Sequence, residues 1–428
     1  MDILIKGATI VTQNAKREIL QGDVFLSGGK IEKIGKNLRE KAEEAVDGKG
    51  KLLFPGLINT HTHIAMTLLR GYGEDMRLQD WLQKKIWPAE AKLKPDDVYW
   101  GTMLGIAEMI RSGATCFNEM YVVGVEGIAQ AAEKAGIRAS IARGMFDRLP
   151  GRSLEKEVKA GIGFASGLKS RSGRVTPAIS CHAPYTCSEE LVRKGKEYAK
   201  KKDLQFHIHA SETRKEVFDI LKETGKRPFE YLDSLGIMDE KTVLAHSVYV
   251  SKREILLAGK MKANVSHCPV SNMKLAGGGV SPVSEFALAG ANVALGTDGA
   301  ASNNSLNMIE TMKLAALAQK NQYWDPLALS TQQVFDFATL NGAKALGVNA
   351  GSVEEGKLAD LAMADLKAPN MNPAHNHLAN LVYAMNPSNV TDVLVGGEFV
   401  MREKKITAFD EEEAVERASG IAQELVSR

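Results

Sequence analysis

Phe54–Pro55–Gly56–Leu57–Ile58–Asn59–Thr60–His61–Thr62–His63 decides how the rest of the chain is read. A Pro-Gly turn is expected to end the preceding segment, and an apolar run then delivers two histidines one residue apart. Alternate side chains of a strand share a face, so His61 and His63 point the same way. Two imidazoles on one face at a strand's end can share a metal ion. A His-x-His pair also suits two buried, hydrogen-bonded rings. The reading therefore turns on whether other strand ends supply further ligands.

Downstream, strand-like and helix-like segments alternate. The predicted strands are 57–63, 114–119, 139–144, 176–182, 205–209, 242–246, 263–267 and 293–297, with helical stretches such as 124–135, 188–200 and 214–235 between them. Eight strands alternating with helices predict a (β/α)8 barrel. A doubly wound open sheet is the alternative, but no GxGxxG follows the first strand. Residues 1–55 read as short alternating strands (2–6, 24–27, 30–34) with a Gly28–Gly29 turn. Near the other end, 356–363 and 390–395 are strand-like, Gly396–Gly397 is a hairpin turn, and a charged amphipathic helix starts near Asp410. The expected architecture is a catalytic barrel over 56–351 and a small β-sandwich domain built from both termini, 1–55 with 352–428.

A barrel gathers its chemistry at the C-terminal ends of its strands. Those predicted ends carry His61 and His63, His182, His207 and His209, His246, His267, and Asp298. Seven of the nine histidines fall there. Histidines with a purely structural role have no reason to keep to one end of every strand.

Pro55–Gly56–Leu57–Ile58–Asn59–Thr60–His61–Thr62–His63, His209-x-x-Glu212, His246 and Gly296–Thr297–Asp298 together resemble the amidohydrolase superfamily of metal-dependent hydrolases, over nearly the whole chain. The resemblance implies one divalent metal held by His61, His63, His209 and Asp298, with His207 a rival ligand two residues before His209. Two-metal members carry a bridging lysine at the end of strand four, where this chain has Ser180–Cys181–His182, so a single ion is expected. Three imidazoles and a carboxylate suit Zn2+, with Fe2+ the alternative. The implied catalytic groups are Asp298 and His246, which orient a water and take its proton, and Glu212, which moves a proton to a ring nitrogen of the substrate.

Asp80–Trp81–Leu82 and Ile86–Trp87–Pro88–Ala89–Glu90 resemble the subgroup of 5′-deoxyadenosine, 5′-methylthioadenosine and S-adenosylhomocysteine deaminases. There the glutamate at Glu90's place accepts hydrogen bonds from both ribose hydroxyls, and a carboxylate's two acceptor oxygens suit a cis-diol. His182, within Cys181–His182–Ala183–Pro184–Tyr185, matches the purine-contacting histidine. The subgroup holds the amino-acid carboxylate of S-adenosylhomocysteine with arginines after strand three. Arg143, Arg148 and Arg152 stand in that region at a different spacing, which favours an uncharged 5′ group. The implied reaction is hydrolytic deamination of an adenosine-type nucleoside to the inosine analogue and ammonia. Within the superfamily the alternative is a guanine deaminase or a triazine-type chlorohydrolase; a non-catalytic scaffold is disfavoured because no metal ligand is missing.

The bulk composition bounds the partners. Across 428 residues the chain is 44% apolar and 25% charged, with a net charge of +2. That gives no electrostatic case for nucleic acid or a membrane surface. No run is long and apolar enough to span a bilayer. Cys116, Cys181, Cys187 and Cys268 form no CxxC pair, which fits a reducing, cytoplasmic setting. A small-molecule nucleoside is the expected partner, in a homo-oligomer (dimer or tetramer).

Overall fold

The computed structural model describes residues 2–427. Its central sheet is a parallel barrel whose strands follow one another in chain order: Leu57–Thr62, Ala114–Tyr121, Arg138–Met145, a fourth strand in two pieces, Phe206–Ala210, Thr242–His246, Asn264–His267 and Asn292–Leu295. The fourth strand comes as Val175–Pro177 and Ile179–Cys181. Pro177 has no N–H to give to the ladder, so pairing lapses there and resumes beyond Ala178. Every residue of six of the eight strands is buried, as expected where helices cover a parallel sheet.

The barrel closes between its first and last strands by side-chain as well as backbone bonds. Asp298 N donates to His61 O at 3.0 Å. Thr60 Oγ1 donates to Leu295 O at 2.9 Å, and Thr297 N donates to Asn59 Oδ1 at 3.0 Å. The approach demands glycine at Gly296, where a Cβ would lie 2.9 Å from that of His61. The covering helices show the expected stripes. Val125–Ala135 buries Val125, Ile128, Ala131, Ala132 and Ala135 at three- and four-residue spacings and ends at Gly136 with φ 67°.

The second sheet draws strands from both ends of the chain. Its order is Lys405–Ile406, Glu398–Arg402, Val390–Val395, Leu361–Asp365, Lys51–Pro55, Ile3–Val11, Ile19–Ser27 and Lys30–Gly35. It forks at Ile3–Val11, whose first half pairs with Glu44–Asp47 and second half with Lys51–Pro55. A separate apolar core that includes Ile3, Ile5, Ile10, Leu53, Leu361 and Met363 fills the space this creates. The strand predicted over 356–363 begins only at Leu361, because Gly356 (φ 84°) turns the chain before it. The final helix, Glu411–Ser427, lies on the barrel helix Pro95–Arg111, where Arg111 pairs with Glu411 and the Arg417 guanidinium stands 5.5 Å from the Trp100 ring centre.

Pro55–Gly56 does not turn. The chain runs extended from Lys51–Pro55 straight into Leu57–Thr62, with Gly56 N bonded to Asp360 O at 3.0 Å. A Cβ on Gly56 would fall 2.2 Å from Thr115 Cγ2, so glycine serves close strand approach here rather than a turn. A bidentate pair, Arg138 with Asp360 at 2.8 and 3.0 Å, fastens the third barrel strand to the same sheet.

Candidate active site

The histidines at the strand ends meet in one place. His61, His63 and Asp298 offer ligand atoms within 4.8 Å of one another, and so do His61, His209 and His246. His63 Nδ1 donates to Met120 O and His209 Nδ1 to His182 O, both at 2.6 Å. Both rings therefore carry their lone pair on Nε2, and the two Nε2 atoms face each other 3.2 Å apart. Lone pairs this close repel unless a positive charge lies between them. Burial holds the pKa values of both rings down, so protonation does not supply that charge. His61 Nε2 is buried without a hydrogen-bond partner, 3.5 Å from Asp298 Oδ1, and His63 Nε2 is 3.4 Å from the same oxygen. Imidazole lone pairs and one carboxylate oxygen converging on one point fit a divalent cation.

The surrounding bonds fix each group. His207 does not join the convergence: its Nε2 stands 2.9 Å from His61 Nδ1 and braces that ring from behind. Asp298 Oδ2 accepts from Ser271 Oγ at 2.6 Å and Ser302 Oγ at 2.8 Å, which turns Oδ1 toward the histidines. Burial opposes ionisation of Asp298, but the imidazoles facing it, His61 first and then His63 and His246, hold its carboxyl well below the usual range. His246 Nδ1 donates to Asn272 Oδ1 at 2.9 Å, leaving Nε2 bare and 3.8 Å from Glu212 Oε1. Ser271 and Asn272 thus hold one group each from adjacent places in the helix Pro269–Leu275. The sequence reading did not single them out. The available signal was two small polar residues directly after the strand end His267–Cys268–Pro269.

Glu212 is not a helix-capping carboxylate. That role falls to Thr213, whose Oγ1 accepts from Glu216 N at 3.1 Å, while the Glu216 carboxylate ties down the turn before the helix by accepting from Ser211 N at 2.9 Å and Glu212 N at 2.8 Å. Burial, and then the charge of Asp298, push the Glu212 carboxyl up to about 8, so it holds a proton at neutral pH. Ser211 (φ 54°), His246 (φ 72°), Ser247 (φ 52°) and Asp298 (φ 64°) all take left-handed backbone conformations at or just past the ends of their strands. Such strain concentrates at functional sites.

Above these groups lies a cavity of about 370 Å³, lined by His63, His209, Glu212, His246 and Asp298 at its floor and by Glu90, Tyr121, His182 and Arg152 on its walls. His182 Nδ1 meets Thr186 Oγ1 at 2.8 Å, and that hydroxyl donates to Ala183 O, so His182 presents Nε2 as an acceptor. Glu90 hangs from a helical segment over the mouth, Leu78–Trp81, Leu82–Ile86 and Trp87–Glu90, whose middle turn is a π-helix. Pro88 has no N–H for the carbonyl one turn back, and the widened turn beside it brings Trp81, Leu82, Trp87 and Glu90 all onto the cavity. Burial pushes the Glu90 carboxyl up to about 7, against an opposing pull from the Tyr121 hydroxyl.

The three arginines after the third strand do not form a free clamp. Arg143 and Arg152 both bind the buried Glu157, at 2.9 and 2.8 Å. Arg152 also stands 4.5 Å from the Phe146 ring centre. Of the three, Arg152 alone lines the cavity, and Arg148 pairs with Glu223 at 2.7 Å in a separate surface groove.

Known proteins resemble this chain along its full length. The model of the amidohydrolase family matches residues 52–400. A 5′-deoxyadenosine deaminase of Methanocaldococcus jannaschii is 44% identical over 420 residues, covering 97% of this chain and 98% of the relative. A 5-methylthioadenosine/S-adenosylhomocysteine deaminase of Archaeoglobus fulgidus is 43% identical over 424 residues, 99% of each chain. Among solved structures, an adenosine deaminase from Xanthomonas campestris with bound zinc superposes with a TM-score of 0.95 at 33% identity, covering 100% of this chain and 99% of that one.

Proposed function

Because this chain belongs to the amidohydrolase family, we propose that it hydrolyses the 6-amino group of adenosine-type nucleosides, giving the inosine analogue and ammonia. The observation that carries this reading is a half-buried carboxylate, Glu90, on the wall of the same cavity whose floor holds the histidine–aspartate convergence. Relatives that are deaminases of 5′-deoxyadenosine and of 5-methylthioadenosine and S-adenosylhomocysteine support it.

His61, His63, His209 and Asp298 would hold one divalent ion, with Zn2+ the choice on ligand type. When bound, the ion supplies the Lewis acidity that makes water nucleophilic near neutral pH. The chain's own groups do the rest. Glu90 accepts from the ribose hydroxyls. His182 Nε2 accepts from an N–H of the base and sets the ring's angle. Asp298 Oδ1 and His246 Nε2 take the proton as water adds at C6, while Glu212 delivers its proton to N1. The proton taken from water then passes to the amino group, the C6–N bond breaks to release ammonia, and the proton left on the C6 hydroxyl returns to Glu212 as the C6 carbonyl forms. The apolar cover of Trp81, Leu82 and Trp87 keeps bulk water from the reacting carbon.

The engagement of Arg143 and Arg152 with Glu157 supports an uncharged 5′ group, so 5′-deoxyadenosine should match or exceed S-adenosylhomocysteine in kcat/KM. Ammonia release across a nucleoside and nucleobase panel tests the whole reading. Glu90→Ala should depress adenosine-type nucleosides by about tenfold or more while sparing free adenine, because only the nucleoside brings hydroxyls to the vacated acceptor. Guanine turnover without turnover of any adenosine derivative would overturn the assignment.

Asn272→Ala should lower kcat about 10–100-fold by releasing the His246 ring, a loss typical of groups that orient active-site histidines. Unchanged kcat would show that the ring is held without it. Cys116, Cys181, Cys187 and Cys268 are all free and buried, and among the described residues no helix is long and apolar enough to cross a membrane. These features support the cytoplasmic assignment. Trp324 and Leu327, 93% and 83% exposed, are the surface features that best support a homo-oligomer.

A further inference from the structure

Glu119 is a fully buried acidic residue that the reaction derived above does not use. It stands on the second barrel strand, Ala114–Tyr121, directly across the ladder from Thr62. Among the described residues no lysine or arginine pairs with it. Burying an acidic group without a cation is costly, so its hydrogen bonds have to account for it. Two groups meet its oxygens. Thr62 Oγ1 bonds to Oε2, and Ile64 N donates to both oxygens, at 3.1 and 3.0 Å.

These two residues lie on either side of His63. The strand Leu57–Thr62 ends there, and the chain bends through His63 (φ −126°, ψ 72°) into the short helix Ile64–Leu69. The His63 side chain does not cap that helix. Glu119 supplies the missing acceptor from the neighbouring strand. The next residue, Met120, takes the His63 ring, Nδ1 to carbonyl oxygen at 2.6 Å. Two successive residues of one strand thus hold the backbone and the ring of His63. Its Nε2 then stands 3.4 Å from Asp298 Oδ1 and 3.2 Å from His209 Nε2. A helix cap needs one acceptor only; a group that reaches both sides of one residue fixes that residue in place. We propose that Glu119 is a positioning residue of the metal centre: by gripping Thr62 and Ile64 it sets where His63 Nε2 stands, and with it the affinity for the ion. The inference rests on the ligand set proposed above and adds to it a residue that touches neither ion nor substrate.

The test measures metal binding rather than turnover. Metal-free wild type, Glu119→Met and Glu119→Gln are titrated with Zn2+ against a chromophoric chelator and with Co2+ for its visible spectrum, and each metal-free form is melted. Methionine fills the space but offers no oxygen. Glu119→Met should bind Zn2+ about 10–100-fold more weakly, the usual cost of losing a group that orients a ligand, and its Co2+ spectrum should differ from wild type. Glutamine keeps an acceptor for Ile64 N and an amide for Thr62 Oγ1, whose hydroxyl can turn to Asn118 O, 3.0 Å away. Glu119→Gln should therefore stay within about threefold of wild type. The control is Glu254→Met. Glu254 is also fully buried and accepts from Ser251 N and Phe229 N at 2.8 and 3.2 Å, but it belongs to neither the cavity nor the converging ligands. That variant should melt earlier and keep wild-type Zn2+ affinity. Wild-type affinity and spectrum in Glu119→Met, whatever its melting point, would overturn the inference. Glu119→Gln as weak as Glu119→Met would also overturn it, since charge and not grip would then hold the ion. If Glu119→Met does not fold, Thr62→Val decides: it deletes the hydroxyl that Glu119 grips, and unchanged Zn2+ affinity there would overturn the inference. A wild type that binds no Zn2+ would instead overturn the ligand set beneath it.

Discussion

Glu212→Gln is expected to lose about 10²–10⁴ in kcat, the usual worth of a positioned proton transfer, while keeping its metal and its fold. Glutamine preserves the shape and can still donate a hydrogen bond, but it cannot hand a proton to the substrate ring. The size of the loss follows from the site. Glu212 is not needed by its helix, because Thr213 caps it and Glu216 ties down the turn before it. It is largely buried, it sits 3.8 Å from His246, and its carboxyl is pushed up to about 8. A protonated carboxyl in that place is an acid awaiting a base. Stopped-flow or steady-state rates at saturating nucleoside, paired with metal analysis, separate the roles: near-normal kcat would reduce Glu212 to a hydrogen-bonding residue.

His61→Ala should abolish turnover and empty the protein of its ion. His61 is the residue common to both groups of converging ligand atoms, and its ring is braced by His207 at 2.9 Å so that Nε2 faces inward. Removing it also leaves the His63 and His209 nitrogens opposed across 3.2 Å with one fewer group to share a cation. Elemental analysis of wild type should give one equivalent of divalent metal per chain, and of the variant close to none. Two equivalents in the wild type, bridged through a modified lysine, would defeat the single-ion arrangement. Full occupancy in the variant would mean that His246 takes over as a ligand.

What the sequence revealed, and what it hid, divides along the range of the interaction. The barrel strands were legible because a strand buried on both faces is a short apolar run, and the functional groups were legible because they sit at one end of each run. His61 and His63 share a face by period two alone. The Ser271–Asp298 and Asn272–His246 bonds were not legible, since each joins residues 27 and 26 positions apart and no local pattern encodes the pairing. Likewise no local pattern names Glu157 as the partner of both Arg143 and Arg152. The unturned passage at Gly56 was hidden because the constraint comes from Thr115, on another strand. Nor does the sequence around Pro88 show that the widened turn beside it carries Glu90 over the cavity.

That passage at Gly56 has a consequence for how the molecule comes apart. Five residues separate Pro55, the end of a strand in the terminal sheet, from His61, and the chain between them is extended. An extended segment has no slack. Fraying of the terminal sheet at Lys51–Pro55 therefore pulls directly on the backbone that carries His61, and a local opening at one end is not independent of the other. By mass action, whatever binds at His61 in the folded state opposes that opening. Substrate chemistry and the cohesion of the two chain ends are then one thermodynamic account, although the terminal sheet contributes no group to the reaction.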